Sequence, residues 1–196
     1  MPCTLVRLAG CPLRCHYCDT PQAIPTNSGK PMAIDDIVQQ VSDNNRPLVL
    51  ITGGEPLAQR HCIELLNQLS GLDCIVQLET AGCYSVAHVP AGVRRVIDFK
   101  TPASGEDERN CYENIKRLRP EDEIKLVLAS RADYEWARDF IRQHASALAG
   151  IPVLLSPVWG QTAARELCAW LLEDRLAARM QMQMHKVIWG PEAEGV

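Results

Sequence analysis

The stretch Cys11-Pro12-Leu13-Arg14-Cys15-His16-Tyr17-Cys18-Asp19-Thr20 spaces three cysteines as C-x3-C-x2-C within eight residues. Three thiolates on one short loop can hold three irons of a 4Fe-4S cube and leave the fourth iron open to a ligand that is not protein. Soft thiolates suit iron–sulfur clusters or zinc. A structural zinc site wants four ligands and usually takes cysteines in pairs, and no second C-x2-C follows here. The spacing alone also admits a zinc loop, or cysteines that are merely buried. His16 sits between two of the thiols, and its ring is expected to point away from them. Gly10 lets the chain turn out of the preceding strand, and Pro12 stiffens the loop.

Around this loop the composition is that of a globular chain. Of 196 residues, 46% are hydrophobic and 22% charged, enough for one domain with a sizeable core. A net charge of −4 gives no basic footprint for nucleic acid. No apolar run approaches the roughly 20 residues of a membrane span, and residues 1–10 lack the apolar segment and cleavage site of a signal peptide. Nine cysteines, an odd number, point to a reducing cytoplasmic compartment.

Apolar periodicity then divides the chain. Thr4–Leu8 reads as a strand delivering the cysteine loop. Ile34, Ile37, Val38 and Val41 fall at i, i+3, i+4, i+7 and predict a helix over Ala33–Asn44. Further strands are expected at Pro47–Ile51, Cys74–Leu78, Val93–Phe99, Ile124–Leu128 and Pro152–Leu155. Helical stripes run through Cys62, Leu65, Leu66 and Leu69, from Arg131 to about His144 with Ser130 as cap, and over Thr162–Arg175. Pro102 to Asn114 is polar and reads as loop or a poor helix. Met180–His185 is expected to be a final strand.

Strands alternating with helices predict a parallel sheet with right-handed crossovers. A complete eightfold barrel needs about 250 residues, so the expected fold is α/β, a partial, open (β/α)6-like barrel in a single domain over residues 1–196. The unusual motifs all fall at strand C-terminal ends, where such folds place their sites. They are the cysteine loop, Thr52-Gly53-Gly54-Glu55-Pro56, Glu79-Thr80, Asp98-Phe99-Lys100 and Ser156-Pro157. Glu55 is expected to support its loop rather than perform chemistry. Cys62 and Cys168 lie on helical stripes, and with Cys3, Cys74, Cys83 and Cys111 they lack metal spacing.

With its C-x3-C-x2-C loop and Gly53-Gly54-Glu55-Pro56, the chain resembles the radical S-adenosylmethionine superfamily. Val6-Arg7-Leu8-Ala9-Gly10-Cys11 with Cys18-Asp19-Thr20-Pro21, Glu79-Thr80-Ala81-Gly82, Asp98-Phe99-Lys100-Thr101-Pro102 and Gln183-Met184-His185-Lys186 narrow the likeness to the 7-carboxy-7-deazaguanine synthase family. The resemblance covers nearly the whole chain and implies conversion of 6-carboxy-5,6,7,8-tetrahydropterin to 7-carboxy-7-deazaguanine with loss of ammonia. It implies a 4Fe-4S cluster on Cys11, Cys15 and Cys18, S-adenosylmethionine as cofactor, and Mg²⁺ on the Thr20 hydroxyl. Arg7 and Thr52 would contact the substrate. Tyr17, Cys18, Asp19, Gly54, Asp98, Phe99, Lys100 and Ser156 would contact the cofactor. A homodimer and a flavodoxin- or ferredoxin-like reductant are implied as well.

Two departures from the family pattern shape the expectations. The family carries a Gln-Gly-Glu segment and a strand ahead of the Val6–Cys11 string, and here ten residues precede Cys11, so an upstream segment that helps hold the substrate is expected to be missing. The family's C-terminal end can approach the substrate, and here Gly190-Pro191 is followed by a tail from Glu192 to Val196. A glycyl-radical activating enzyme shares the cysteine spacing and a small open barrel but acts on a protein. Arg7 and Cys18-Asp19-Thr20-Pro21 favour a small molecule over it. A non-catalytic metal-binding module is the alternative from another class.

Overall fold

In the computed structural model, which describes residues 1–193, seven strands form one parallel sheet in sequential order. They are β1 Cys3–Leu8, β2 Leu48–Gly53, β3 Ile75–Thr80, β4 Val93–Phe99, β5 Glu123–Leu128, β6 Val153–Pro157 and β7 Arg179–Met180. The sheet stays open, with β1 and β7 as its edges, as expected of a partial barrel. The helices are α1 Ile34–Asn44, α2 Cys62–Leu69, α3 Arg131–Gln143, α4 Ala164–Asp174 and α5 Met184–Trp189.

Alternation along each strand separates two faces. One face carries Val49, Ile51, Val76, Leu78, Ile97, Phe99, Ile124, Leu126 and Leu155 into a single buried cluster. There they meet Val41 of α1, Leu65, Leu66 and Leu69 of α2, Ala137 and Phe140 of α3, and Leu167 of α4. The other face carries Arg7, Thr52, Gln77, Glu79, Asp98, Lys125 and Ser156. The strand registers join these residues: Arg7 lies beside Thr52, Asp98 beside Lys125, and Val127 beside Ser156. This polar face lines the inside of the open barrel.

A local cap starts α3. The Ser130 side chain accepts the Asp133 N–H at the start of α3, as its position predicts. Residues 102–117 form three short 3-10 segments rather than a helix, in line with their polar reading. The core side of β4 also buries Arg95, whose Nε donates to Asp122 Oδ1 at 2.9 Å and whose guanidinium donates to Arg117 O at 2.6 Å. That pair ties β4 to the turn before β5.

The expected strand over Met180–His185 is corrected. β7 is two residues long: it pairs with β6 at Leu154 and Leu155, and the last ladder bond is Gln181 N–H to Leu155 O at 2.9 Å. Beyond that point Met184, Val187 and Ile188 follow helical spacing, and the chain forms α5. The tail after Gly190-Pro191, which departs from the family pattern, ends in residues 194–196, which lie outside the described residues.

Candidate active site

The cysteine loop is held from two sides. On one side the turn after β2 is fused to it: Gly54 N–H donates to Leu8 O and Glu55 N–H to Gly10 O, both at 2.9 Å. Both glycines are required there. A Cβ on Gly53 would stand 1.9 Å from Leu8 O, and one on Gly54 would stand 2.4 Å from Gly10 O. The glycine pair therefore brings backbone against backbone, and with the Gly54 amide committed, only its carbonyl is left for an outside donor. Gly10, at φ +95, makes the exit turn, and its N–H donates to Ala23 O at 2.8 Å.

On the other side, the segment after β4 grips the loop. His16 N–H donates to Ser104 O at 3.0 Å, and His16 Nδ1 lies 3.2 Å from Ala103 O. The ring packs on Gly105, where a Cβ would stand 2.9 Å from it. His16 thus points away from the thiols, as expected. Arg14 N–H donates to the Glu106 carboxylate. The Tyr17 hydroxyl lies 3.2 Å from both Thr101 Oγ1 and Val127 O, anchoring the loop on the ends of β4 and β5.

Glu55, fully buried, accepts from Leu57 N–H at 2.8 Å, from the Thr80 hydroxyl at 2.9 Å, and from Ala81 N–H. Burial pushes its carboxyl above the usual range, and the donors from Leu57, Ala81 and Thr80, together with Lys100, pull it back. Every near partner is a donor from the fold, which fits the supporting role expected of it.

Burial pushes the Cys15 thiol up to about 11, helped by Asp98, Cys18 and Cys11 and opposed by Lys100. Burial likewise raises Cys11, which also feels Cys18. The three thiols therefore share one electrostatic neighbourhood, with the Lys100 ammonium facing it. All nine cysteines are free. Among the described residues, no three His, Cys, Asp or Glu side chains gather around a point fit for one ion. Cys11, Cys15 and Cys18 are free thiols on one loop, a soft donor set of the kind that holds an iron–sulfur cluster.

At the end of β4, Lys100 Nζ donates to Asp98 Oδ2 at 2.9 Å, and Asp98 Oδ1 is buried with no partner among the described residues. Asn110 clamps the Lys100 backbone on both sides, accepting from its N–H at 2.8 Å and donating to its carbonyl at 2.9 Å. Phe99 is placed differently. Its ring packs against Phe140 and Tyr112 in the core, at centroid distances of 5.3 and 5.9 Å, so only its backbone reaches the site. Ser156 is buried at the end of β6.

Thr20 donates its hydroxyl to Asp19 Oδ1 at 3.0 Å, and Asp19 Oδ2 accepts from Gln183 Nε2, just before α5. Partial burial raises the Asp19 carboxyl, but Thr20, Lys125, Lys186 and Gln183 outweigh it and hold the pKa below the usual value. Sequence reasoning missed the Asp19–Gln183 bond, the Asn110 clamp and the Glu106 contact. All three join distant segments, and no local spacing signals them.

Three free thiols on a loop at the C-terminal mouth of an open parallel barrel define the class, and comparison with known proteins agrees with it. The profile described as the Radical SAM superfamily matches residues 5–98. Streptococcus suis SuiB bound to S-adenosylmethionine aligns with TM-score 0.61 at 15% identity, over 92% of this chain and 47% of that one. The chain thus spans about half of that protein, and the likeness is one of fold. A 7-carboxy-7-deazaguanine synthase of Chlorobaculum tepidum is 44% identical over 100% of this chain and 89% of its own length. One of Koribacter versatilis is 40% identical, over 100% and 92%. The chain belongs to the 7-carboxy-7-deazaguanine synthase family.

Proposed function

We propose that the protein is a radical S-adenosylmethionine lyase that converts 6-carboxy-5,6,7,8-tetrahydropterin to 7-carboxy-7-deazaguanine with loss of ammonia, a step towards queuosine and related deazapurines. The observation that carries this reading is likeness to the family over the entire chain, cysteine loop included. When bound, the cluster and S-adenosylmethionine supply a carbon radical able to abstract hydrogen from the substrate.

The chain's own residues prepare the site. Cys11, Cys15 and Cys18 are the cluster ligands. The Gly54 carbonyl is a candidate acceptor for the cofactor's ammonium, since its amide is already used. Tyr17, Asp19 and Ser156, with Asp98, Lys100 and the backbone of Phe99, border the cofactor. The Lys100 ammonium offers a cation for a carboxylate. Arg7 and Thr52, paired across β1 and β2, face the substrate, and a guanidinium suits its carboxylate. Thr20 ligates Mg²⁺, a hard cation that keeps few protein ligands and prefers substrate oxygens and water. The protein works as a homodimer in the reducing cytoplasm, fed by a flavodoxin- or ferredoxin-like reductant. Nine unpaired thiols support that compartment, and no helix among the described residues is long and apolar enough to cross a membrane.

The test is an anaerobic assay of the reconstituted protein with the carboxytetrahydropterin, S-adenosylmethionine, dithionite and Mg²⁺. The carboxydeazaguanine and ammonia should form together. Cleavage of S-adenosylmethionine without either product would reject the assigned substrate.

A further inference from the structure

We propose that Asp19 is the positioning residue of the Thr20 metal ligand, and that Gln183 fixes Asp19 from the C-terminal segment. The inference rests on the reading that Thr20 ligates Mg²⁺. A hydroxyl carries one proton and two lone pairs. To ligate a cation it must turn a lone pair to the metal and its proton elsewhere. Thr20 already does so, since its hydroxyl proton is committed to Asp19 Oδ1 at 3.0 Å.

Asp19 is itself a hard carboxylate that could compete for the cation. Its second oxygen is taken by Gln183 Nε2, and the ammonium groups of Lys125 and Lys186 also face it. The carboxylate is thereby kept as an acceptor for Thr20, and a neutral hydroxyl is left as the ligand. Gln183 is 164 residues away from Asp19 in sequence and lies between β7 and α5. The arrangement therefore makes orientation of the metal ligand depend on docking of the C-terminal segment.

The experiment uses the full chain with its cluster reconstituted, S-adenosylmethionine and pterin bound, and Mn²⁺ as the probe, titrated by electron paramagnetic resonance. Partners that orient a ligand typically govern 10–100-fold of metal affinity. Asp19→Ala should therefore weaken Mn²⁺ binding about tenfold or more, with iron per chain unchanged. Asp19→Asn keeps an oxygen for Thr20, and Gln183 can turn its own Oε1 to accept the new N–H₂, so this variant should keep most of the affinity. Gln183→Glu sets a second carboxylate against Asp19 and should weaken binding, and adding Asp19→Asn to it restores the bond and should recover most of the affinity. This rescue decides the matter even if Asp19→Ala loses iron. Failure of the rescue, or wild-type Mn²⁺ affinity in Asp19→Ala while Thr20→Ala loses the ion, overturns the role of Asp19. Wild-type affinity in Thr20→Ala itself overturns the metal reading on which the inference rests.

Discussion

The Thr80 hydroxyl stands 2.9 Å from both carboxylate oxygens of Glu55, so one side chain at the end of β3 locks the turn after β2. That turn in turn holds Gly10 through the Glu55 N–H. The cysteine loop therefore rests on a buried acid that belongs to neither the cluster nor the substrate. Glu55→Ala leaves the Thr80 hydroxyl and two backbone N–H groups buried without an acceptor. An unsatisfied buried group costs about 1–3 kcal/mol. Urea denaturation should show a loss of at least that size, and the refolded variant should retain less iron. Wild-type stability would mean that water satisfies those donors.

Cys15→Ala should abolish cluster assembly and cleavage of S-adenosylmethionine together, since two thiolates hold a cube poorly. Cys62→Ala and Cys168→Ala should keep their iron. Cys62 is buried on α2, and Cys168 Sγ lies 3.3 Å from Met180 Sδ between α4 and β7. Iron and acid-labile sulfide per chain, measured anaerobically, check both statements.

Arg95 and Asp122 are each about 1% exposed and bonded to one another. Removing one partner of such a pair leaves a buried charge uncompensated, typically about 3–5 kcal/mol. Asp122→Ala should destabilise the fold by that order. Arg95 lies on the core face of β4, so the folded fraction should still bind its cluster. Thermal melts alongside iron content separate the two effects.

The Tyr134 hydroxyl donates to Asp174 Oδ2 at 2.8 Å, linking α3 to the end of α4. That bond, with Arg138 and Arg142 nearby, holds the Asp174 carboxyl below its ordinary value of 3.8. A lowered carboxyl pKa gives stability that is present above the ordinary value and lost as pH falls through the folded one. Tyr134→Phe should therefore be less stable than the wild type near neutral pH, and the gap should narrow below about pH 4. Denaturation at pH 7 and pH 3 measures it. A gap that is constant with pH would assign the loss to the contact of the same hydroxyl with Trp170 O, at 2.7 Å.

Much of the fold was legible because its signals are local. The apolar run over Val93–Phe99 and the stripe through Cys62, Leu65, Leu66 and Leu69 each follow one period, and each became the expected element. The end of the chain was misread for a reason of context. Met180 to His185 has an apolar and polar alternation that suits a strand, but the chain leaves the sheet after Gln181, and Met184, Val187 and Ile188 take up helical spacing in α5. The side-chain direction of Phe99 followed from strand alternation, which put Asp98 towards the site and Phe99 into the core.

The sequence by itself determined the three-thiol loop, the glycine turn beside it and the succession of parallel strands, because each depends on residue type and short spacing. Only the tertiary structure decided what holds them: Glu55 on Thr80, Arg14 on Glu106, Asp19 on Gln183. A side-chain hydrogen bond forms only within about an ångström of one geometry. That geometry is set by strand register and by the path of loops many residues apart, which no local period encodes.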